Sequence, residues 1–150
     1  MKYFKQCYTH HCPTHSVDRA SNRALYTPIN TNEMSLTRIG TVIKNPFAGK
    51  AITTKALVDT GATLTVAPGR IAEELQLPAI GRRRVAAAKG ITELDECIGI
   101  VEVMGKKAYT HILISNDVDI VLIGATTLET LGLEVDPTTG KLKEATTYLL

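Results

Sequence analysis

From residue 36 onward, apolar and polar positions alternate with a period of two. Thr37, Ile39, Thr41 and Ile43 fall on one side of an extended chain, which predicts a strand with one face toward a core. Asn45-Pro46-Phe47-Ala48-Gly49-Lys50 punctuates as a hairpin loop, and residues 51–58 return as a second strand. Residues 63–66 read as a short strand. Pro68 suits the first turn of a helix, Ile71 and Leu75 share one helix face, and Pro78 stops it. After Val85-Ala86-Ala87-Ala88 the pair Lys89-Gly90 reads as a tight turn. Residues 91–104 follow as a long strand. Leu94, Ile98, Ile100 and Met104 lie on one face of it, interrupted by Glu96 and Glu102, and Gly99 is expected to mark a bulge or bend.

The same grammar continues to the end of the chain. Gly105-Lys106-Lys107 is a turn, residues 108–114 a strand, and Ser115-Asn116-Asp117 a turn into residues 118–123. Thr126 and Glu129 have capping-box spacing for a short helix, which Gly132 ends. Residues 133–135 and 141–143 flank Asp136-Pro137-Thr138-Thr139-Gly140 as a terminal hairpin. The pattern is all-β with one or two short helices.

Residues 1–33 lack this periodicity and read as a flexible N-terminal extension ahead of a domain at 34–150, with Met34 a candidate initiator. The extension holds Cys7, His10, His11, Cys12 and His15, all zinc-ligand types. Their spacing matches no structural zinc pattern and no second half-site follows, so no metal is expected.

Composition narrows the picture modestly. At 150 residues the chain is long enough for one real core. A net charge of +2 gives no reason to expect nucleic acid, and Arg82-Arg83-Arg84 reads as a solvated strand end rather than a phosphate patch. No stretch approaches a membrane span and no signal-peptide pattern opens the chain, so a cytoplasmic protein without membrane contact is expected. Three cysteines do not make a disulfide framework. Cys97 reads as a small buried residue and His111 as structural, which disfavours a cysteine nucleophile.

One stretch breaks the strand pattern. In Ala56-Leu57-Val58-Asp59-Thr60-Gly61-Ala62-Thr63, an apolar strand runs straight into a carboxylate and a tight loop. A charge at the end of a core strand is expensive unless hydrogen-bonded or functional. The plain reading is a turn aspartate capping its own loop.

Leu57-Val58-Asp59-Thr60-Gly61-Ala62 resembles the active-site signature of the retropepsin-like (retroviral-type) aspartic peptidases. Val121-Leu122-Ile123-Gly124, followed by residues 126–131, resembles the family's second element, in the right order and at a fitting separation. The likeness spans about residues 36–137. It implies a closed acid-protease β-barrel that works as a homodimer, because the chemistry takes two carboxylates and this chain has one such loop. It makes Asp59 catalytic, with Thr60, Gly61 and Ala62 supporting the loop. Leu122, Ile123 and Gly124 form the second-element glycine loop, and Ala88, Lys89, Gly90 and Ile91 the flap over an extended or unfolded peptide. The carboxylate pair activates the water, so no cofactor is implied.

Viral relatives usually pair an Asp two residues after the motif glycine with an Arg after the second-element glycine. Here those positions are Thr63 and Ala125. Both partners are missing together, which suits a cellular, prokaryotic-type branch. Two functional classes remain: an aspartic endopeptidase, and a catalytically silent module for dimerisation or peptide binding. The intact Asp59-Thr60-Gly61 favours the first.

Overall fold

The computed structural model describes residues 37–149. The proposed boundary at residue 34 and the cysteines and histidines at 7–15 lie outside them. Among the described residues no group of His, Cys, Asp or Glu is placed to hold a metal ion, and no helix is long and apolar enough to cross a membrane.

Nine strands and two short helices follow one another: β1 (Arg38–Lys44), β2 (Ala51–Val58), β3 (Thr65–Pro68), α1 (Gly69–Leu75), β4 (Ala79–Ala87), β5 (Gly90–Val103), β6 (Lys106–Ser115), β7 (Val121–Ile123), α2 (Ala125–Leu131), β8 (Leu133–Val135) and β9 (Leu142–Glu144). The main sheet runs β1-β2-β7-β3-β6-β5-β4, and a further pairing of β1 with β5 closes it. Six strands thus form a closed barrel, the all-β architecture expected from the alternating pattern. Closure removes most free edges, which a small sheet protein must otherwise shield. Strand β4 stands outside the ring as one arm of the β4–β5 hairpin.

Alternation assigns two apolar layers. Ala56, Val58, Ala67, Val121, Ile123 and Ile112 point into the barrel with Ile43, Val101 and Val103. Their neighbours Leu57, Val66, Leu122 and Leu113 point the other way and form a smaller cluster with Val118. The strands β2, β7, β3 and β6 are therefore apolar on both faces, as sheets covered on both sides are.

Several expectations need correction. Strand β3 begins at Thr65, two residues later than read, and Pro68 is the residue that caps α1 rather than its first turn. Strand β7 spans three residues, so residues 118–120 are not part of it. On β5 the buried apolar set is Cys97, Gly99, Val101 and Val103; of the even positions only Glu96 is buried, and Met104 is exposed. Gly99 marks no bulge: β5 and β6 stay in register from Asp95–Ile114 to Val103–Lys106. A Cβ at Gly99 would lie 2.6 Å from Ile112 Cδ1, so the glycine makes room for that side chain. The irregularity falls instead on β4, between Ala79 and Gly81. The arginine run sits within β4 rather than at a strand end.

Glu96 explains why the even face of β5 misled. It is only 6 % exposed. Arg83 on β4 donates to it through Nε and Nη2 at 2.9 and 2.6 Å, and His111 Nδ1 on β6 lies 2.5 Å from Oε1. One buried carboxylate thus ties the outer arm of the hairpin to the barrel wall. Arg82 pairs with Glu93 and Asp95 on the exposed surface, where such contacts contribute little.

Arg83 foremost, opposed in part by burial and assisted by His111, holds the Glu96 carboxyl below its ordinary value. A carboxylate with a depressed folded-state pKa adds stability that is present above its unfolded pKa and lost as pH falls through the folded one. Acid should therefore destabilise the protein below about pH 4.5, with Glu102, held down chiefly by Lys44, acting in the same direction. Urea unfolding at stepped pH should show a shallower acid limb in Glu96→Gln than in the wild type. An identical limb would mean that the Arg83–Glu96–His111 cluster carries no linkage.

Candidate functional site

The parallel pairing of β2 with β7 places the ends of these two strands side by side, with Val58 opposite Ile123. Asp59 follows one and Gly124 the other. The two segments are then laced by backbone hydrogen bonds. Asp59 N–H donates to Ile123 O (2.9 Å), Ala125 N–H to Ala62 O (2.8 Å) and Thr126 N–H to Thr63 O (3.0 Å). Within its own loop, Ala62 N–H donates to Asp59 O (3.2 Å) and Gly61 N–H to Asp59 Oδ1 (3.0 Å). The aspartate is half-buried, and Thr60 and Gly61 are exposed. Asp59 caps its own turn, as the plain reading of the sequence expects: its carboxylate is oriented by Gly61 N–H and remains partly exposed.

This lacing also replaces the expected capping box. Helix α2 starts at Ala125 with Gly124 at the N-cap and no side-chain cap, so Thr126 lies inside the helix. Its first N–H groups, which no helix can satisfy internally, go to the carbonyls of Ala62 and Thr63. A hydroxyl cap would compete with the contact that joins the two elements. Gly132 ends the helix in the left-handed conformation, as expected.

Gly124 is required by proximity. A Cβ there would lie 2.4 Å from the carbonyl carbon and 2.9 Å from the Cα of Leu64. The backbones touch, and no side chain could be accommodated between them. Leu122 faces the smaller apolar cluster, while Ile123 faces the barrel core.

The expected flap residues are also together. Residues 88 and 89 form the turn of the β4–β5 hairpin, and Ala88, Lys89, Gly90 and Ile91 are all exposed. Lower on the hairpin, Val85 and Leu94 pack against the cluster of Leu57, Val66, Leu113 and Leu122, as do Leu64 from the Asp59 loop and Ile120. The hairpin therefore leans over the apolar surface that borders the aspartate loop.

Three threonines escaped the sequence reading. Thr65, Thr127 and Thr110 are buried, and their hydroxyls form a chain, with Oγ1–Oγ1 distances of 2.8 Å for Thr65–Thr127 and 2.9 Å for Thr110–Thr127. Gly124 N–H donates to Thr65 Oγ1 at 3.2 Å. The available signal was a polar residue at an apolar position, as in Leu64-Thr65-Val66. Cys97 is buried on the core face of β5, and burial first, then Asp95, pushes its thiol up. That environment does not suit a nucleophile.

No protein-family model matches the chain, and no curated protein matches it. Among solved structures it is similar to the solution structure of the simian foamy virus (mac) protease. That match has 24% identity and a TM-score of 0.46, and covers 62% of this chain and 92% of the other.

The backbone contact at Gly124 should tolerate no side chain. Gly124→Ala should lower stability by about 2–3 kcal/mol or prevent folding, as overpacking against immobile backbone does. Gly99→Ala should be milder, because the tip of the Ile112 side chain can move. Urea midpoints of the two variants provide the comparison, and equal losses would show that the Leu64–Gly124 approach is not rigid.

Proposed function

We propose that this chain is an aspartic endopeptidase that acts as a homodimer on extended or unfolded peptide. The supporting observation is the setting of Asp59: a half-buried carboxylate oriented by Gly61 N–H, on a loop bound through backbone to a second, glycine-centred element. A silent module has no need of an accessible carboxylate held in this way.

Each chain supplies one such group, so the pair arises across a two-fold axis. Two close carboxylates cannot both ionise freely, and they share a proton. The ionised Asp59 takes a proton from a water held between them as its oxygen attacks the scissile carbonyl. The protonated Asp59 gives its proton to the carbonyl oxygen. Collapse of the tetrahedral intermediate breaks the C–N bond, and the leaving nitrogen takes up a proton. Thr60 is exposed, and in the proposed dimer its hydroxyl bonds across to the partner loop. The β4–β5 hairpin covers an extended peptide that adds as a strand. The part-exposed Val85 and Leu94 offer apolar contacts for its side chains.

The terminal residues 145–149 carry no strand, so a contribution from them to the interface would require them to pair on dimerisation. The missing charges at Thr63 and Ala125 suit a cellular member of the retropepsin-like family with its own cleavage preferences.

Cleavage of unfolded casein tests the reading. Wild type should cleave it and Asp59→Asn should not, while Asp59→Asn still dimerises by analytical ultracentrifugation. Specific activity should fall on dilution near the dimer dissociation constant. Thr60→Ala should raise that constant, losing about 1 kcal/mol or more for each buried hydroxyl bond. Constant activity per chain in a demonstrably monomeric range would rule out the paired-Asp59 site.

The pH profile is a separate test. One Asp59 must be protonated and the other ionised, so activity should be bell-shaped. Activity still rising above neutral pH would contradict a shared proton.

A further inference from the structure

We infer that the buried chain Thr110–Thr127–Thr65 is the positioning device of the Asp59 loop, acting through the single peptide group that joins Ile123 to Gly124. The inference rests on the peptidase reading for its catalytic consequence, though not for its structural one.

The carbonyl of that peptide group accepts the N–H of Asp59 at 2.9 Å. The N–H of the same group donates to Thr65 Oγ1 at 3.2 Å. A peptide group is planar and rigid, so its two hydrogen bonds are not independent. Fixing the N–H direction fixes the carbonyl on which Asp59 hangs. A rotation of the plane would displace Asp59 and free a buried donor together.

Thr65 is itself held. Its hydroxyl meets Thr127 on α2, which meets Thr110 on β6. Thr65 and Thr127 are fully buried and Thr110 is 4 % exposed. Three strands and a helix thus converge on one peptide plane: β7 supplies it, β3 holds it, and α2 and β6 anchor the holder. Buried hydrogen-bond chains reinforce one another in a low dielectric, and an unpaired member is costly. The plane has little other freedom, because Gly124 lies against the backbone of Leu64. Shape sets its position and Thr65 sets its orientation.

The three threonines touch no reacting atom, so they are positioning residues. Their removal should lower turnover while leaving peptide affinity nearly intact, because Val85 and Leu94, the apolar contacts proposed for the peptide, pack on the cluster of the opposite sheet face.

The test uses Thr65→Val, which keeps the shape and removes the acceptor, Thr65→Ser, which restores it, and Thr110→Val at the far end of the chain. Two readouts are taken on folded dimer: amide hydrogen exchange at Gly124 and Asp59, and kcat and KM on a peptide cut by the wild type. Thr65→Val should speed exchange at both amides, with Val101 unchanged as a barrel reference. It should lower kcat by about tenfold or more with KM within about twofold, the scale expected for a displaced catalytic group. Thr65→Ser should return both readouts toward wild type, and Thr110→Val should move both in the same direction by less. If Thr65→Val does not fold, Thr110→Val decides. Only a joint change supports the inference. Faster exchange with unchanged kcat, slower turnover with unchanged exchange, or a loss of kcat matched by KM would overturn it. If the wild type cuts no peptide, the peptidase reading fails, and the exchange rates at Asp59 and Gly124 alone decide whether the threonines orient the loop.

Discussion

The structure depends on the meeting of two strand ends. β2 and β7 run parallel, and the chain leaves both at the same level, one through Asp59 and the other through Gly124. Parallel neighbours cannot be joined by a tight turn, so each end must find its own partners. Here they find each other. The Asp59 loop presents carbonyls at Ala62 and Thr63, and the first turn of α2 presents unsatisfied N–H groups. Each segment cancels the backbone deficit of the other, which is why irregular chain is tolerated beside the buried Gly124.

This meeting also explains which residues the site can accept. The backbones approach so closely that position 124 admits only glycine. Position 65 admits a hydroxyl, because an apolar residue there would leave the Gly124 N–H unpaired. The carboxylate of Asp59 remains available because the loop turns it back onto Gly61 N–H rather than into the core. The barrel behind, with Ile43, Val101, Ile112 and Val121 fully buried, makes the frame stiff.

Much of this was legible in the sequence, and the exceptions share a physical cause. Strand β1 was clear because one of its faces is repetitive, β2 because the loop with Pro46 and Gly49 marks its start, and the terminal hairpin because Asp136 and Gly140 bound it. The aspartate loop and the glycine element could be found from local residue order. What misled was any residue whose role is set by a distant partner. Glu96 looked like an interruption of an apolar face, yet Arg83 and His111 make it buried. Thr126 and Glu129 had the spacing of a cap, but the carbonyls of Ala62 and Thr63 had already taken the N–H groups. Thr65, Thr110 and Thr127 are far apart in sequence, and nothing local marks them as one chain of hydroxyls. Gly99 suggested a bulge because the space it leaves for Ile112 comes from another strand.

The two parts of the candidate site are held by different chemistry. Apart from the contact of the Asp59 carboxylate with Gly61 N–H, what fixes the Asp59 loop is neutral: backbone amides, one glycine contact and the hydroxyl of Thr65 with its partners. Thr63 and Ala125 meet only through neighbouring backbone bonds, Thr126 N–H to Thr63 O and Ala125 N–H to Ala62 O. The hairpin above is held partly by charge, through the buried Glu96 carboxylate and its Arg83 and His111 partners. Neutral contacts do not titrate, whereas a carboxylate pulled below its ordinary range loses its hold once it is protonated. Acid should therefore loosen the hairpin while the loop beneath keeps its geometry. The hairpin and the loop beneath it thus answer differently to acid: the first gives up an ion pair, while the backbone and hydroxyl contacts under the second have no proton to gain.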